Sequence, residues 1–287
     1  MNLVLCLLCF EFALFVFMDC GFLRIGAVAL LLLSFSFVSC SSLYGGCESG
    51  GIWVVAHRGG ASLGAENTLP CIERAIEAGV DAVEVDVRMT SDGGIVVIHD
   101  ATVDRTTTGR GRVDQLSLAE ICALPVVDCD TVVTECHVPS LAEVLKLVAG
   151  RVRVLIEVKD DDARGIERAV VGVIGECNAE RWVSVQAFSD RVLARFRDAG
   201  VQFPLEKLFV FKLPLLPYIF DGTFTRLSSY KYSHVKSFNV HSTFVRKGLV
   251  RRLRSMGKDV KVWKCGARRR PVPGGCGVIT DYPQLWR

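Results

Sequence analysis

Residues 54–59 read VVAHRG and residues 95–100 read IVVIHD, so two of the chain's five histidines, His57 and His99, directly follow β-branched runs. A single histidine at a strand end is ordinarily a hydrogen-bonded structural residue; two of them suit a general base and a general acid near neutral pH. Between them, Glu84 and Asp86 stand two apart in AVEVDV. On a strand they face one side while Val83, Val85 and Val87 face the other. Two carboxylates turned into an interior repel one another and lose hydration unless a cation or a shared proton compensates. A solvated surface strand is the alternative, but the flanking valines and the adjoining Gly-rich turn suit a barrel interior better. Glu157, in VLIEVK, repeats the alternation and offers a third carboxylate, with Lys159 on the same face. Three carboxylates with no thiol nearby point to a hard divalent cation, Mg²⁺ or Ca²⁺, rather than zinc. Arg58 and Lys159 add positive charge suited to a phosphate. A metal, two histidines and two cations together describe hydrolysis or transesterification of a phosphate ester.

The elements that must position these groups alternate. Strands are expected at Ile52–Ala56, Ala82–Val87, Ile95–Ile98, Val152–Val158, Trp182–Gln186, Leu208–Phe211, Ser237–Val240, Val260–Trp263 and Gly277–Thr280. Helical patterns lie between several of them: one capped by Asn67 and stopping at Gly79, then Leu141–Val148, Arg164–Cys177, Asp190–Ala199 and Thr243–Met256. This alternation implies an α/β fold, a parallel TIM (β/α)8 barrel, whose chemistry sits at the C-terminal ends of its strands. Nine strands compete for eight places, so one is wrong or belongs to a hairpin. Asp100–Pro139, polar at first and without a clear strand, reads as a small insertion between two barrel strands.

The chain has 287 residues, half of them hydrophobic, and a formal net charge of +3, which fits one large globular domain from Gly50 onward plus an appended segment. Nothing in that balance calls for a nucleic-acid partner. The basic C-terminal third, with Arg251, Arg252, Arg254, Lys258, Lys261 and Lys264, reads most simply as a solvated face, with attraction to anionic lipid as the alternative. Residues 1–49 form a hydrophobic leader or anchor. Leu3–Met18 is apolar apart from Glu11, Asp19 and Arg24 follow, and Ile25–Val38 is uncharged. Each run is shorter than the roughly 20 residues that cross a bilayer comfortably, and the second has the length of a signal-peptide core. Read from Met18, the segment resembles a bacterial lipoprotein signal with Cys40 as the lipidated residue, although Phe37 departs from the usual leucine. A cleaved signal and an uncleaved anchor remain alternatives. All three imply an exported or membrane-associated protein. Cys129 and Cys136 are candidates for a bridge in an oxidising space, and free buried thiols are the other reading.

The ordered motifs His57-Arg58-Gly59, Glu66-Asn67-Thr68, Glu84 with Asp86, Thr90-Ser91-Asp92-Gly93, His99-Asp100 and Arg105-Thr106-Thr107 resemble those of glycerophosphodiester phosphodiesterases. The likeness continues through Val138-Pro139-Ser140-Leu141 and Glu157-Val158-Lys159, weakens from about residue 200, and returns in Gly277–Pro283. The resemblance implies a TIM barrel and a small-molecule glycerophosphodiester substrate, cleaved to glycerol 3-phosphate and an alcohol. It further implies His57 and His99 as the acid/base pair, a divalent metal on Glu84, Asp86 and Glu157, and phosphate binding by Arg58 and Lys159. One departure is Trp263-Lys264-Cys265-Gly266, where the family often carries WTVN; it puts the alcohol-side specificity in doubt. A lyase acting on intact lipid headgroups and a non-catalytic exported lipoprotein using the barrel as a binding scaffold are the competing expectations.

Overall fold

The computed structural model describes residues 52–129, 131–159, 165–209, 231–268 and 271–287. In chain order the elements are β1 (Val54–Ala56), α1 (Leu69–Glu77), β2 (Ala82–Met89), β3 (Ile95–Val97), α2 (Leu118–Cys122), β4 (Pro125–Asp128) and β5 (Thr131–His137). They continue with α3 (Leu141–Val148), β6 (Arg153–Val158), α4 (Ile166–Glu176), β7 (Val183–Ala187), α5 (Asp190–Asp198), β8 (Leu205–Phe209), β9 (Val235–His241), α6 (Lys247–Ser255), β10 (Asp259–Cys265) and β11 (Gly277–Thr280). The sheet has the order β1-β11-β10-β9-β8-β7-β6-β2-β3, and β1 also pairs with β2, which closes the parallel strands into a ring. Only β3 in that sheet runs antiparallel, as a hairpin on β2. The remaining strands form the eight-stranded parallel barrel that the alternation predicts.

The ninth expected strand is therefore the hairpin arm Ile95–Val97, and His99 does not follow a barrel strand. Strand β2 overshoots the barrel through Arg88 and Met89, turns, and β3 descends again with Val97 opposite Val87. That descent returns His99 to the level of Asp86, whose carbonyl accepts the Ile98 amide at 2.9 Å. The insertion also differs from expectation. It contains a two-stranded antiparallel ribbon, β4 with β5, built on the pairs Val126↔Val133 and Val127↔Val132, together with α2. PVVD and TVVTECH lack the alternation of apolar and polar residues that would mark them, and their pairing supplies the stability.

Burial divides into two shells. Outward-facing Val83, Val85, Val154, Ile156, Val183 and Val185 pack under Ile72, Leu141, Leu145, Ile174 and Leu193 of the helices, all fully or almost fully buried. Each such side chain contributes about 1.5–3 kcal/mol when buried. Inside the barrel the apolar contribution is small: Val55, Ala82, Leu155 and Ile279, flanked by Trp53 and Trp263. Along β2 the inward positions then run Ala82, Glu84, Asp86, so the apolar floor gives way to carboxylates toward the C-terminal end. Helix α3 begins with a capping box, in which Ser140 and Glu143 satisfy each other's backbone amides. Such a cap contributes about 1 kcal/mol.

Three further expectations change. Thr68, not Asn67, stands at the N-cap of α1, because the Asn67 side chain is committed elsewhere. Lys258 and Lys261 of the basic C-terminal third are buried rather than solvated. Cys129 is exposed at the β4–β5 turn rather than a buried thiol, while Cys136 precedes His137 at the far end of the ribbon opposite Pro125. Among the described residues no helix is long and apolar enough to cross a membrane. The leader of residues 1–49, its Cys40 and the Phe211 end of the expected sixth strand lie outside the described residues.

Candidate active site

Register puts the three carboxylates together. Across the β2–β6 pairing Glu84 stands beside Leu155 and Asp86 beside Glu157. Oxygens of Glu84, Asp86 and Glu157 lie within 4.8 Å of one another, all buried, the geometry of a pocket for one cation. Lys159, just past β6, places Nζ 2.5 Å from Glu157 Oε1 and 3.0 Å from Asp86 Oδ1. The contact to Asp86 is an ion pair without a well-directed hydrogen bond, and Asp86 Oδ1 has no hydrogen-bond partner. A fully buried carboxylate oxygen left in that state has a lone pair available to a metal. The donor set, hard oxygens only, fits Mg²⁺ or Ca²⁺.

Electrostatics show the same strain. Burial, then the charge of Asp86, pushes the Glu84 carboxyl up to about 8. Burial pushes Asp86 upward too, but Lys159, followed by His99, His57 and Arg58, prevails and holds it down to about 2. Glu157 is raised by burial and by Asp86 against the pull of Lys159.

The loop after β1 wraps the first histidine around this cluster. Arg58 takes a left-handed conformation (φ 53°), which aims its amide at Glu84 Oε2, 2.8 Å away. Gly59 follows at φ 74°, and a Cβ there would stand 2.8 Å from Ile72 Cγ1, so the turn needs glycine to lie against α1. Asn67, also left-handed at φ 59°, donates from Nδ2 to Asp86 Oδ2 at 2.9 Å.

Each histidine is held through Nδ1 by a carboxylate: His57 by Asp281 at 2.5 Å, and His99 by Asp100 at 2.6 Å. That anchoring fixes the ring and leaves Nε2 for proton exchange, the arrangement used by histidine acid/base groups. Burial lowers the His57 pKa, but Glu84, the hydrogen bond that His57 donates to Asp281, and Asp86 outweigh it and the net direction is upward. Burial and then Lys159 shift His99 downward. Part of what raises His57 is carboxylate charge that a bound cation would offset.

Sequence reasoning singled out seven residues that lie in one constellation: His57, Arg58, Glu84, Asp86, His99, Glu157 and Lys159. It missed their supports. Asp281 also binds Lys264 Nζ at 2.5 Å. Arg105, from the insertion, donates to Asp100 Oδ2 at 2.6 Å and to Glu66 Oε1 at 2.8 Å, while Glu66 accepts from Arg58 at 3.0 Å. The insertion thus ties Arg58 to Asp100, the anchor of the second histidine. Gln186 of β7 donates from Nε2 to Glu84 Oε1 at 3.2 Å. Glu66, Asn67, Arg105 and Asp281 lie within quoted motifs, which was the available signal; Gln186 carried none.

A model of the glycerophosphoryl diester phosphodiesterase family matches residues 57–285. A glycerophosphodiester phosphodiesterase of Bacillus subtilis is 27% identical over 258 residues, covering 82% of this chain and 85% of its own. That of Caldanaerobacter subterraneus is 39% identical over 140 residues, 47% of this chain and 58% of its own. The crystal structure of a Silicibacter pomeroyi protein superposes with a TM-score of 0.73 at 26% identity, covering 84% of this chain and 93% of its own. With its barrel and site, the chain belongs to the glycerophosphoryl diester phosphodiesterase family. It is a phosphoric diester hydrolase.

Proposed function

We propose that the chain hydrolyses glycerophosphodiesters, the deacylated phospholipids, to sn-glycerol 3-phosphate and an alcohol. The observation that carries this is the pairing of two carboxylate-anchored histidines with one buried three-carboxylate cluster. Glu84, Asp86 and Glu157 would hold a divalent cation, Mg²⁺ or Ca²⁺. Such an ion supplies charge neutralisation at the phosphate and acidifies a bound hydroxyl group.

The chain's own residues supply the rest. Arg58 and Lys159 attract the phosphate, Arg58 with its guanidinium steered by Glu66 and Lys159 from beside Asp86 and Glu157. One histidine takes a proton from the attacking hydroxyl through Nε2, and the other returns one to the leaving alkoxide. Asp281 and Asp100 keep each ring in the tautomer that exposes Nε2. The apolar floor of Val55, Ala82, Leu155 and Ile279 keeps water from approaching the carboxylates from below, which strengthens every charge interaction above it. The segment of residues 1–49 would carry the barrel out of the cytoplasm or tether it to a membrane, with Cys40 as the position for a lipid.

The test is ³¹P NMR of glycerophosphocholine incubated with the full chain and a divalent cation. The expected product is sn-glycerol 3-phosphate, lost in His57→Ala and in His99→Ala. Accumulation of a persistent cyclic phosphate would indicate a lyase, and choline phosphate would indicate cleavage on the other side of phosphorus; either would overturn the proposal.

A further inference from the structure

Beyond the seven residues, the barrel interior holds a second polar system that none of the chemistry above requires. Lys261 of β10, Glu206 of β8, and Ser237 and Asn239 of β9 are all buried, Asn239 completely. Lys261 Nζ donates to Glu206 Oε2 at 2.6 Å and to Ser237 Oγ at 3.2 Å, and it lies 5.1 Å from the centre of the Trp53 ring. Ser237 Oγ donates to Asn239 Oδ1 at 3.1 Å. Asn239 Nδ2 spends its two protons on Glu206 Oε2 at 2.8 Å and on Gln186 Oε1 at 2.7 Å. Gln186 Nε2 then faces Glu84 Oε1 at 3.2 Å and Glu157 Oε2 at 3.5 Å.

The polarity of this chain is fixed at Lys261 and Glu206. The Lys261 ammonium can only donate and the Glu206 carboxylate paired with it can only accept, so the Ser237 hydroxyl and the Asn239 and Gln186 amides must all point the same way. The Asn239 amide cannot turn over without facing its oxygen at the Glu206 carboxylate. The Gln186 amide cannot turn over without facing its nitrogen at the Asn239 nitrogen and its oxygen at Glu84 and Glu157. We infer that Lys261, Ser237 and Asn239 are positioning residues for the carboxylate cluster: they lock Gln186 so that its NH₂ group holds Glu84 and Glu157 in place to receive a cation. Groups bonded directly to metal ligands, as Gln186 is here, typically change metal affinity about 10–100-fold when removed, so the residues behind Gln186 should act at the lower end of that range. The inference rests on the divalent-cation reading proposed above.

The experiment is calorimetric titration of Mg²⁺ and of Ca²⁺ into the EDTA-stripped full chain, with thermal unfolding of each metal-free variant alongside. Asn239→Leu, close in shape but without the amide, is expected to bind the cation about 10-fold more weakly. Ser237→Thr and Ser237→Val form a shape-matched pair that differs only in the hydroxyl. Thr is expected to bind the cation more tightly than Val, while their metal-free melting temperatures differ far less. That contrast separates positioning from general stability, and it stands even where Asn239→Leu fails to fold. Equal cation affinity in Ser237→Thr and Ser237→Val, with the parent chain binding normally, would overturn the relay alone. No cation binding by the parent chain would overturn both the relay and the metal reading.

Discussion

On the wall built by β2 and β6, Glu84, Asp86 and Glu157 crowd together with Lys159 as the ammonium among them. On the wall built by β8, β9 and β10, Glu206 meets Lys261, and Ser237 and Asn239 complete their hydrogen bonds. Both walls bury polar side chains at inward-facing positions of parallel strands. The first leaves an excess of negative charge and an oxygen, Asp86 Oδ1, without a hydrogen bond. The second balances its charges within itself. Buried charge that balances reads as architecture, whereas buried charge that does not balance marks where something else must bind.

The sharpest way to break this contrast is to remove a group that only chemistry needs. His57→Ala should lower turnover about 10²–10⁴-fold while leaving the melting temperature nearly unchanged, as assayed by glycerol 3-phosphate release and differential scanning calorimetry. A comparable loss of stability would move His57 into the structural class. Next comes the balanced wall: Lys261→Met strands Glu206 and should cost about 3–5 kcal/mol of stability in urea unfolding. Adding Glu206→Leu should recover most of that loss, because the uncompensated charge goes with it. A double variant no better than the single would deny that the pair is balanced.

The unbalanced wall should respond with the opposite sign. In EDTA the folded chain binds the Glu84 proton more tightly than the unfolded chain does, since its pKa is pushed up to about 8. The Glu84 contribution to metal-free stability is therefore greatest in acid and falls as pH rises through the unfolded value near 4 toward 8. Glu84→Gln should remove that decline and stabilise the metal-free chain by about 1 kcal/mol or more at pH 9. The same Glu-to-Gln change at Glu206 should destabilise it. The smallest effect belongs to the insertion. Arg105 holds Asp100 well below the usual carboxylate range, as does His99. A depressed pKa contributes stability above its unfolded value near 4 that is lost as pH falls. Arg105 is half-exposed, so Arg105→Met should cost only about 0.5–1 kcal/mol at pH 7, and the difference should begin to shrink as pH falls below about 4.

The legibility of the molecule divides along the same line. Glu84, Asp86 and Glu157 could be read because a carboxylate alternating with valines is chemically conspicuous, and the strands around them are short apolar runs. The hairpin could not be placed, because IVV in β3 has the same pattern as IVV in a barrel strand and only pairing direction distinguishes them. Lys261 was misread as a surface charge, since a lysine in a basic stretch looks solvated until a glutamate from another strand is known to face it. Asn67 had the right composition for a helix cap, but a tertiary partner, Asp86, claimed its side chain. Gln186 and Asn239 gave no local signal at all; their meaning lies in contacts 102 and 33 residues distant in sequence.

The central claim is that the unbalanced wall exists to hold a divalent cation for phosphodiester hydrolysis. Its most direct test is sn-glycerol 3-phosphate release from glycerophosphocholine by the EDTA-stripped full chain, before and after addition of Mg²⁺ or Ca²⁺. The account predicts no turnover in EDTA, recovery on adding the cation, and no recovery in Glu84→Gln. Undiminished turnover in EDTA, or full recovery in Glu84→Gln, would contradict it.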